Sequence, residues 1–287
     1  MCDPLEDASS FWSSLGRAYE RSGPPLRPSL ADIQLIESAL EAWRGQHPSQ
    51  PLRALLLGVT PGLAEMRWPE PSTLLGVDNS MPMVRGVWPG DVPGRRRAVC
   101  ASWLALPVAR GAIHIVAGDG SINCVRYPDG FRALAESVSG VLAQDGIVAI
   151  RCFVQPPVQE TPEDVFADIP RTPDFHYFKF RLLMSMQRDS RDGVAVDEVY
   201  RCWASHSVDR KLLNTRLGWE DEVIDTIELY KGKDTVHTFP TLLEVRSVFD
   251  TFFEETGCLF HSCPMGERCP VLVWRPRLGR RESQPRG

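Results

Sequence analysis

The fold of this chain is decided by one short stretch, Ala54-Leu55-Leu56-Leu57-Gly58-Val59-Thr60-Pro61-Gly62. An apolar run ends there in a turn that contains two glycines. A second apolar run, Leu74-Leu75-Gly76-Val77-Asp78, ends in a carboxylate twenty positions after Gly58. This spacing is typical of a βαβ unit that binds a nucleoside, in which the acidic side chain accepts hydrogen bonds from the ribose hydroxyls. The two runs therefore predict an enzyme that uses a nucleotide cofactor.

The composition argues against several other classes of protein. The chain has 287 residues, 43% of them hydrophobic and 24% charged, with a formal net charge of −5. It carries no basic signature for nucleic acid and no run of about 18 or more apolar residues that would predict a membrane span. The acidic start, Met1–Asp7, does not resemble a signal peptide, and the eight dispersed cysteines predict reduced thiols. We expect a cytoplasmic protein with neither a nucleic-acid partner nor a membrane partner.

Five apolar runs predict the central sheet. Each is almost continuously apolar rather than alternating, which is typical of strands that are buried on both faces of a parallel sheet. Helical or loop segments separate the runs, as in a doubly wound α/β fold. The clearest of these segments is a crossover helix over Asp129–Leu142. The predicted strands are Leu52–Leu57, Leu74–Val77, Ala98–Ala101, Ala112–Ala117 and Gly146–Phe153.

The remaining segments predict three units along the chain. Residues 1–50 form an N-terminal helical segment, in which Ser29 caps a second helix. Residues 51–275 form the main domain, which contains a helical insertion or lid at about 155–235 because that segment is too long for a simple crossover. Residues 276–287 form a disordered basic tail.

The end of the main domain is predicted to close the sheet. Thr241–Thr256 has the apolar spacing of an amphipathic helix. Two short runs follow it, Cys258–His261 and Val271–Trp274, separated by the turn Gly266–Arg268. A terminal antiparallel hairpin is the simplest arrangement of these two runs.

Polar or glycine-rich residues follow each of the first four strands. Beyond the first two, these are Ser102-Trp103-Leu104-Ala105-Leu106-Pro107 and Gly118-Asp119-Gly120-Ser121, and the fifth strand is Gly146-Ile147-Val148-Ala149-Ile150-Arg151. In this order the chain resembles the class I S-adenosylmethionine-dependent methyltransferases, over roughly residues 50–153 and 240–275. The resemblance implies a mostly parallel seven-stranded sheet, S-adenosylmethionine as cofactor and methyl transfer as the reaction.

The resemblance also implies roles for individual residues. Gly58, Thr60 and Gly62 would lie beneath the methionine part of the cofactor. Asp78 would accept hydrogen bonds from both ribose hydroxyls, and Asp119 would lie near the transferable methyl group or the cofactor ammonium. Met81, Ser102 and Trp103 would contact the adenine, and Tyr19 would close over the site. The full implied set is Tyr19, Gly58, Thr60, Gly62, Asp78, Met81, Ser102, Trp103, Asp119 and Gly120.

A general base is needed only when the methyl acceptor must lose a proton. The candidates are Asp119, His176 and His206, of which the first two are the predicted catalytic residues. We expect methylation of oxygen or nitrogen in a small molecule, because the insertion is placed to cover a closed pocket and no basic stripe is present. No pattern in the sequence indicates an oligomeric state.

Two other functions remain open at this point. Thr60 replaces the central glycine of the usual G-x-G-x-G turn, Pro61 removes an N–H donor, and Ser102 stands where the family often has an aspartate. These departures leave room for a non-catalytic or regulatory protein on the same fold. A nicotinamide-dependent oxidoreductase is the second alternative, although the incomplete glycine turn and the terminal hairpin argue against it.

The cysteines near the end of the chain do not predict a metal site. Cys258, Cys263 and Cys269 lie near His261, but their spacing differs from the paired C-x2–4-C pattern of metal sites. We expect these thiols to pack as small apolar groups.

Overall fold

Seven strands form one open sheet in this computed structural model, which describes residues 4–277 of the chain and their side chains from residue 10. The strands are β1 (Leu52–Leu57), β2 (Ser72–Asp78), β3 (Arg96–Cys100), β4 (Ile113–Asp119), β5 (Leu142–Arg151), β6 (Phe253–Leu259) and β7 (Val271–Pro276). Their spatial order is β3-β2-β1-β4-β5-β7-β6. Strands β1 to β5 are parallel, whereas β7 is antiparallel to both of its neighbours.

This arrangement confirms the predicted fold class. Strand β1 lies beside both β2 and β4, so the order of the strands reverses between β1 and β4. Its side chains alternate between two buried layers: Leu55 and Leu57 pack with α5, and Leu56 packs on the opposite face. Burial on both faces explains why the strand is apolar at nearly every position.

Eleven α-helices are described, besides several short 3-10 or π segments. Helix α2 begins at a capping box, in which Ser29 accepts from the backbone N–H of Asp32 and the Asp32 carboxylate accepts from that of Ser29. Helix α5 buries Phe131, Leu134 and Val138 against the sheet. The helices are α1 (Pro4–Ala18), α2 (Leu30–Gln46), α3 (Pro61–Ala64), α4 (Met81–Gly86), α5 (Asp129–Val141), α6 (Pro162–Ala167), α7 (Phe175–Met186), α8 (Val196–Ser205), α9 (Arg210–Leu212), α10 (Asp221–Ile224) and α11 (Leu242–Phe249).

The segment between β5 and α11 is the predicted helical insertion. It contains α6 to α10 and a short antiparallel pair, Val194–Ala195 with Val236–His237. It has a core of its own, in which the rings of Phe178, Trp203 and Trp219 pack together. Phe11 of α1 packs into the same core, so the N-terminal helix and the insertion lie against each other.

The predicted helix over Thr241–Thr256 is too long. Helix α11 ends at Phe249, and Phe253 already belongs to β6, where it pairs with Pro276. Phe249 and Phe253 are four residues apart and both buried, which is the spacing of a helix face as well as of two elements that pack on one core. The rings do pack together, but across the turn between the helix and the strand.

The C-terminal tail predicted for 276–287 lies outside the described residues from position 278 onward, and Pro276 ends β7. Within residues 4–277, none of the helices has both the length and the apolar character that a bilayer crossing requires.

Candidate active site

A cavity of about 150 Å³ lies at the carboxyl ends of β1 and β4, where the strand order reverses. Open α/β sheets bind their ligands at this point. Thr60 and Asp119 line the cavity from the sheet, Trp12 lines it from α1, and Lys179 lines it from α7 of the insertion. Three larger clefts, of about 860, 700 and 390 Å³, lie near the amino ends of the strands, away from the ligand-binding edge.

The glycine turn after β1 is held by the backbone. Gly58 has a φ of +108°, which favours glycine, and its N–H donates to the carbonyl oxygen of Val77 over 2.7 Å. Thr60 is the N-cap residue of α3, and Pro61 occupies the first helical turn, where its missing N–H leaves no helical hydrogen bond unmade. The departure from G-x-G-x-G is therefore compatible with a strand-to-helix turn at this place.

Gly62 has a packing role. A β-carbon at this position would lie 3.1 Å from the Cδ1 atom of Ile33 in α2, closer than an ordinary contact. Gly62 thus allows α2 to approach α3, and it does not line the cavity.

Asp78 ends β2 and is 8% exposed. Its Oδ1 atom accepts from the backbone N–H of Ser80 over 2.8 Å, and Ser80 in turn caps α4. Burial raises the pKa of the Asp78 carboxyl from its ordinary value of 3.8 to about 6, although the Ser80 hydrogen bond opposes the change. A buried carboxylate with few donors is well suited to accept further hydrogen bonds from a ligand.

The residues expected at the adenine occupy different positions. Trp103 is half-buried, and its Nε1–H donates to the carbonyl oxygen of Val77 over 2.5 Å. Its ring lies 3.9 Å from where a β-carbon of Gly58 would be, so the indole covers the glycine turn. Ser102 is exposed and caps the short turn that Trp103 begins, and Met81 is 41% exposed. The structure brings Trp103 close to Gly58. Of the ten residues expected around the cofactor, four line the cavity: Tyr19, Thr60, Asp119 and Gly120. The other six lie outside its lining: Gly58, Gly62, Asp78, Met81, Ser102 and Trp103.

Asp119 and its neighbour Gly120 line the cavity at the end of β4. The Asp119 Oδ1 atom accepts from Nε of the buried Arg151 over 2.6 Å, and Arg151 Nη1 donates to Oδ2 of Asp32 over 3.0 Å. One guanidinium therefore faces two carboxylates. Burial raises the pKa of Asp119, as does the charge of Asp32, while Arg151 opposes both effects.

Tyr19 lines the cavity beside Asp119. Burial, together with the Asp119 charge, raises the pKa of its phenol, so the hydroxyl stays protonated at neutral pH. The Arg27 guanidinium lies 5.2 Å from the centre of its ring. The N-terminal segment thus contributes a hydrogen-bonding group at the place where a cover over the site was expected.

The histidine candidates lie away from the cavity. His176 is buried against Gly23, whose added β-carbon would lie 2.9 Å from the imidazole, and burial lowers its pKa to about 4. His206 stacks on the ring of Phe166 with centroids 3.7 Å apart. Neither residue lines the cavity, so their catalytic roles stay predictions from sequence.

Three functional candidates were not predicted from the sequence: Lys179, Tyr230 and His237. All three line the cavity from the insertion. A signal for Lys179 was present, because it falls four residues after Phe175 on the buried face of α7. A lysine at a core position of an amphipathic helix indicates a buried charge, and buried charges are often functional.

The cysteine segment is arranged around a satisfied histidine. His261 Nδ1 accepts from the backbone N–H of Cys263 over 3.1 Å, and His261 Nε2 lies 2.8 Å from Asp32 Oδ1. Cys269 is buried, whereas Cys263 is exposed. Within residues 4–277, no three His, Cys, Asp or Glu side chains converge as they would around a metal ion.

Comparison with known proteins places the fold and no more. No family model matches the chain, and no curated protein matches its sequence. A Rhodobacter sphaeroides protein described as a putative Zn-dependent alcohol dehydrogenase has a similar structure, with a TM-score of 0.55, 12% identity and coverage of 94% of this chain and 98% of that one.

Two methyltransferases are also similar. For 1,6-didemethyltoxoflavin-N1-methyltransferase of Burkholderia thailandensis, the TM-score is 0.49 at 12% identity, covering 96% of this chain and 91% of that one. For a SAM-dependent methyltransferase of Methanosarcina mazei, it is 0.46 at 13% identity, covering 79% and 93%. At identities this low, neither alcohol oxidation nor methyl transfer follows from the similarity.

Proposed function

We propose that this protein is a class I methyltransferase that transfers a methyl group from S-adenosylmethionine to oxygen or nitrogen of a small molecule. The observation that carries the proposal is the buried Asp78 carboxyl at the end of β2, beside the positive-φ Gly58 turn at the switch point of the sheet. Burial removes this carboxylate from the hydrogen bonds of water. The two hydroxyl groups of a ribose would supply two donors in their place.

Groups that line the cavity, and others near the same strand ends, would contact the parts of the cofactor. Asp78 would accept from the ribose hydroxyls, and the backbone at Gly58 would pass close beneath the methionine part. Asp119 and Tyr19 would face its ammonium group from β4 and from the N-terminal segment. Trp103 would pack at the adenine. Cys124 lines the cavity, and burial raises the pKa of its thiol, with smaller contributions from the charges of Asp78 and Asp119. Asp78 itself lies outside the cavity lining.

The volume fits only part of the cofactor. Sites for ligands of this size usually enclose about 300–1,000 Å³, whereas the cavity has about 150 Å³. Binding would therefore require an outward movement of the elements that cover it. Helix α1 is the candidate, because its side chains Phe11, Trp12 and Leu15 line the cavity.

The protein's contribution to the reaction is mainly alignment. Bound S-adenosylmethionine supplies an already activated methyl group on sulfur. The chain's residues would hold the acceptor in line with that group and exclude water, and such positioning is worth about 7–11 kcal/mol in favourable cases. Asp119 remains the candidate for removing a proton from the acceptor, since it lines the cavity.

A small-molecule acceptor fits the position of the cavity. The insertion and α1 enclose it from above, which leaves little room for a folded macromolecule to reach the strand ends. The net charge of −5 gives no general attraction for nucleic acid. We propose that the reaction takes place in the cytoplasm, because the dispersed cysteines are typical of reduced thiols.

Calorimetric titration of the full chain with S-adenosylhomocysteine and with NAD tests the proposal. We expect S-adenosylhomocysteine to bind and NAD not to bind. Asp78→Asn should weaken S-adenosylhomocysteine about 10–100-fold, because hydrogen bonds to a charged group are worth about 1.5–3 kcal/mol. Asp192→Asn, which changes an exposed carboxylate in the insertion, is the matched control and should leave the affinity unchanged.

Each other result decides between the alternatives. Binding of NAD alone would support the oxidoreductase hypothesis and overturn the proposal. Binding of neither compound at millimolar concentration would favour a non-catalytic protein on this fold. Equal affinity of Asp78→Asn and the unaltered chain for S-adenosylhomocysteine would remove the ribose role from Asp78.

A further inference from the structure

A single lysine is buried in the wall of the cavity. Lys179 of α7 is 2% exposed and lines the cavity from the side of the insertion. Its Nζ donates to Oγ1 of Thr226 over 2.7 Å. The Thr226 hydroxyl donates its own proton to the carbonyl oxygen of Val223 over 2.6 Å. Towards Lys179 it can therefore act only as an acceptor.

The Lys179 ammonium has no carboxylate partner among residues 10–277. Asp174 acts on it only through its field, and the nearest rings are those of Tyr230, at 5.1 Å, and Phe175, at 6.0 Å. An ammonium carries three donors, of which Thr226 takes one. A buried charge is normally paired, because burial without a counter-ion is costly.

The rest of the insertion side of the cavity is mostly aromatic, and Leu183 and Leu229 complete it. The rings of Phe153, Phe180 and Phe239 line it, and Phe180 packs edge-on against each of the other two. His237 also lines it, and burial lowers its pKa to about 4, so it adds no positive charge at neutral pH. A cavity of about 150 Å³ is large enough for one benzene ring. The ring and the cofactor therefore fit together only after the same outward movement that cofactor binding requires.

We infer that the methyl acceptor is a carboxylic acid on a single aromatic ring, whose carboxylate pairs with the Lys179 ammonium while the ring lies among Phe153, Phe180 and Phe239. This inference rests on the proposed function for the identity of the reaction. The carboxylate of the acceptor would act as the counter-ion of the Lys179 ammonium, which has no carboxylate partner among residues 10–277. It also fixes the direction in which the ring enters the cavity, with the anionic end toward α7.

Benzoate and benzamide are the probes, because they have the same shape and differ in charge. The full chain is titrated with each at pH 6 without cofactor. Burial lowers the pKa of Lys179 to about 7, so most of the lysine is an ammonium at this pH. We expect benzoate to bind at least ten-fold more tightly than benzamide. Equal affinities, or no binding of benzoate, would overturn the inference without any substitution.

Two variants assign the charge preference to this lysine. Lys179→Met keeps the length of the side chain without its charge and should remove the preference for benzoate. Lys211→Met changes an exposed lysine in α9 and should leave the preference intact. A preference that survives in folded Lys179→Met would place the anion elsewhere and refute the assignment.

The same samples are titrated with S-adenosylhomocysteine, which separates this inference from the proposed function. If the unaltered chain prefers benzoate but does not bind S-adenosylhomocysteine, methyl transfer is refuted and the anion site is supported. Binding of S-adenosylhomocysteine without a benzoate preference would refute only the acceptor class.

Discussion

Replacement of Asp78 by asparagine should stabilise the folded protein while it weakens cofactor binding. The carboxyl is buried, and its pKa rises from 3.8 to about 6 on folding. A carboxyl with a raised pKa binds protons more tightly in the folded state, so folding becomes less favourable as the pH rises above 4. Asparagine has nearly the same shape, and its amide oxygen can still accept from the N–H of Ser80.

The magnitude follows from the two pKa values. At 1.36 kcal/mol for each pH unit between them, the ionised carboxyl lowers the free energy of unfolding by about 3 kcal/mol above pH 7. At pH 4.5 the same relation gives about 1 kcal/mol. The stability gained by Asp78→Asn should therefore grow by about 2 kcal/mol between pH 4.5 and pH 8. Any effect of the amide that does not depend on pH cancels from this difference.

Urea unfolding of Asp78→Asn and of the unaltered chain at both pH values measures this growth. Asp192→Asn controls for loss of a carboxylate and should stay within about 0.5 kcal/mol of the unaltered chain. A stability difference that is independent of pH would show that the Asp78 carboxyl is not desolvated. The stabilised variant should at the same time bind S-adenosylhomocysteine more weakly, a combination that a purely structural aspartate would not produce.

Four further substitutions test the frame of the site by equilibrium unfolding. Arg151→Met should lower the free energy of unfolding by about 3–5 kcal/mol because it removes the guanidinium that pairs with two buried carboxylates. Arg275→Met removes an exposed ion pair and should cost less than about 1 kcal/mol. A small effect of Arg151→Met would contradict the buried network. Gly58→Ala should cost about 1–3 kcal/mol through its positive φ, since its β-carbon meets nothing closer than 3.9 Å. Gly45→Ala, in the open at the end of α2, should instead gain about 0.5–1 kcal/mol, and equal effects of the two alanines would rule out backbone strain at Gly58.

The sheet could be predicted from the sequence because its central strands, β1, β4 and β5, are buried on both faces over most of their length. Such strands leave continuous apolar runs, and each predicted run corresponds to an observed strand within a few residues. The ends of β1, β2 and β4 were equally visible, since glycine and aspartate interrupt apolar runs. The positions of Gly58, Asp78 and Asp119 at one edge of the sheet follow from those ends.

The residues on the insertion could not be placed in the same way. Whether Lys179 or His176 faces the cavity depends on how α7 packs against the strand ends, and that packing is set by aromatic contacts far apart in sequence. The helix periodicity puts both residues near apolar neighbours and does not tell the core of the insertion from the wall of the cavity. The boundary between α11 and β6 could not be predicted for a related reason. Phe249 lies in the helix and Phe253 in the strand, but both rings pack in the same core at helical spacing.

The buried network around Arg151 explains why the N-terminal segment belongs to the site. Asp32 performs three tasks at once: it caps α2, pairs with Arg151 and contacts His261. Burial would raise its pKa, but Arg151 and the Ser29 hydrogen bonds lower it, so it remains charged. Because Arg151 also holds Asp119 at the edge of the cavity, the orientation of that carboxylate depends on where α2 begins. A substitution at the start of α2 should thus alter the orientation of the Asp119 carboxylate at the end of β4, although the two positions lie far apart in sequence.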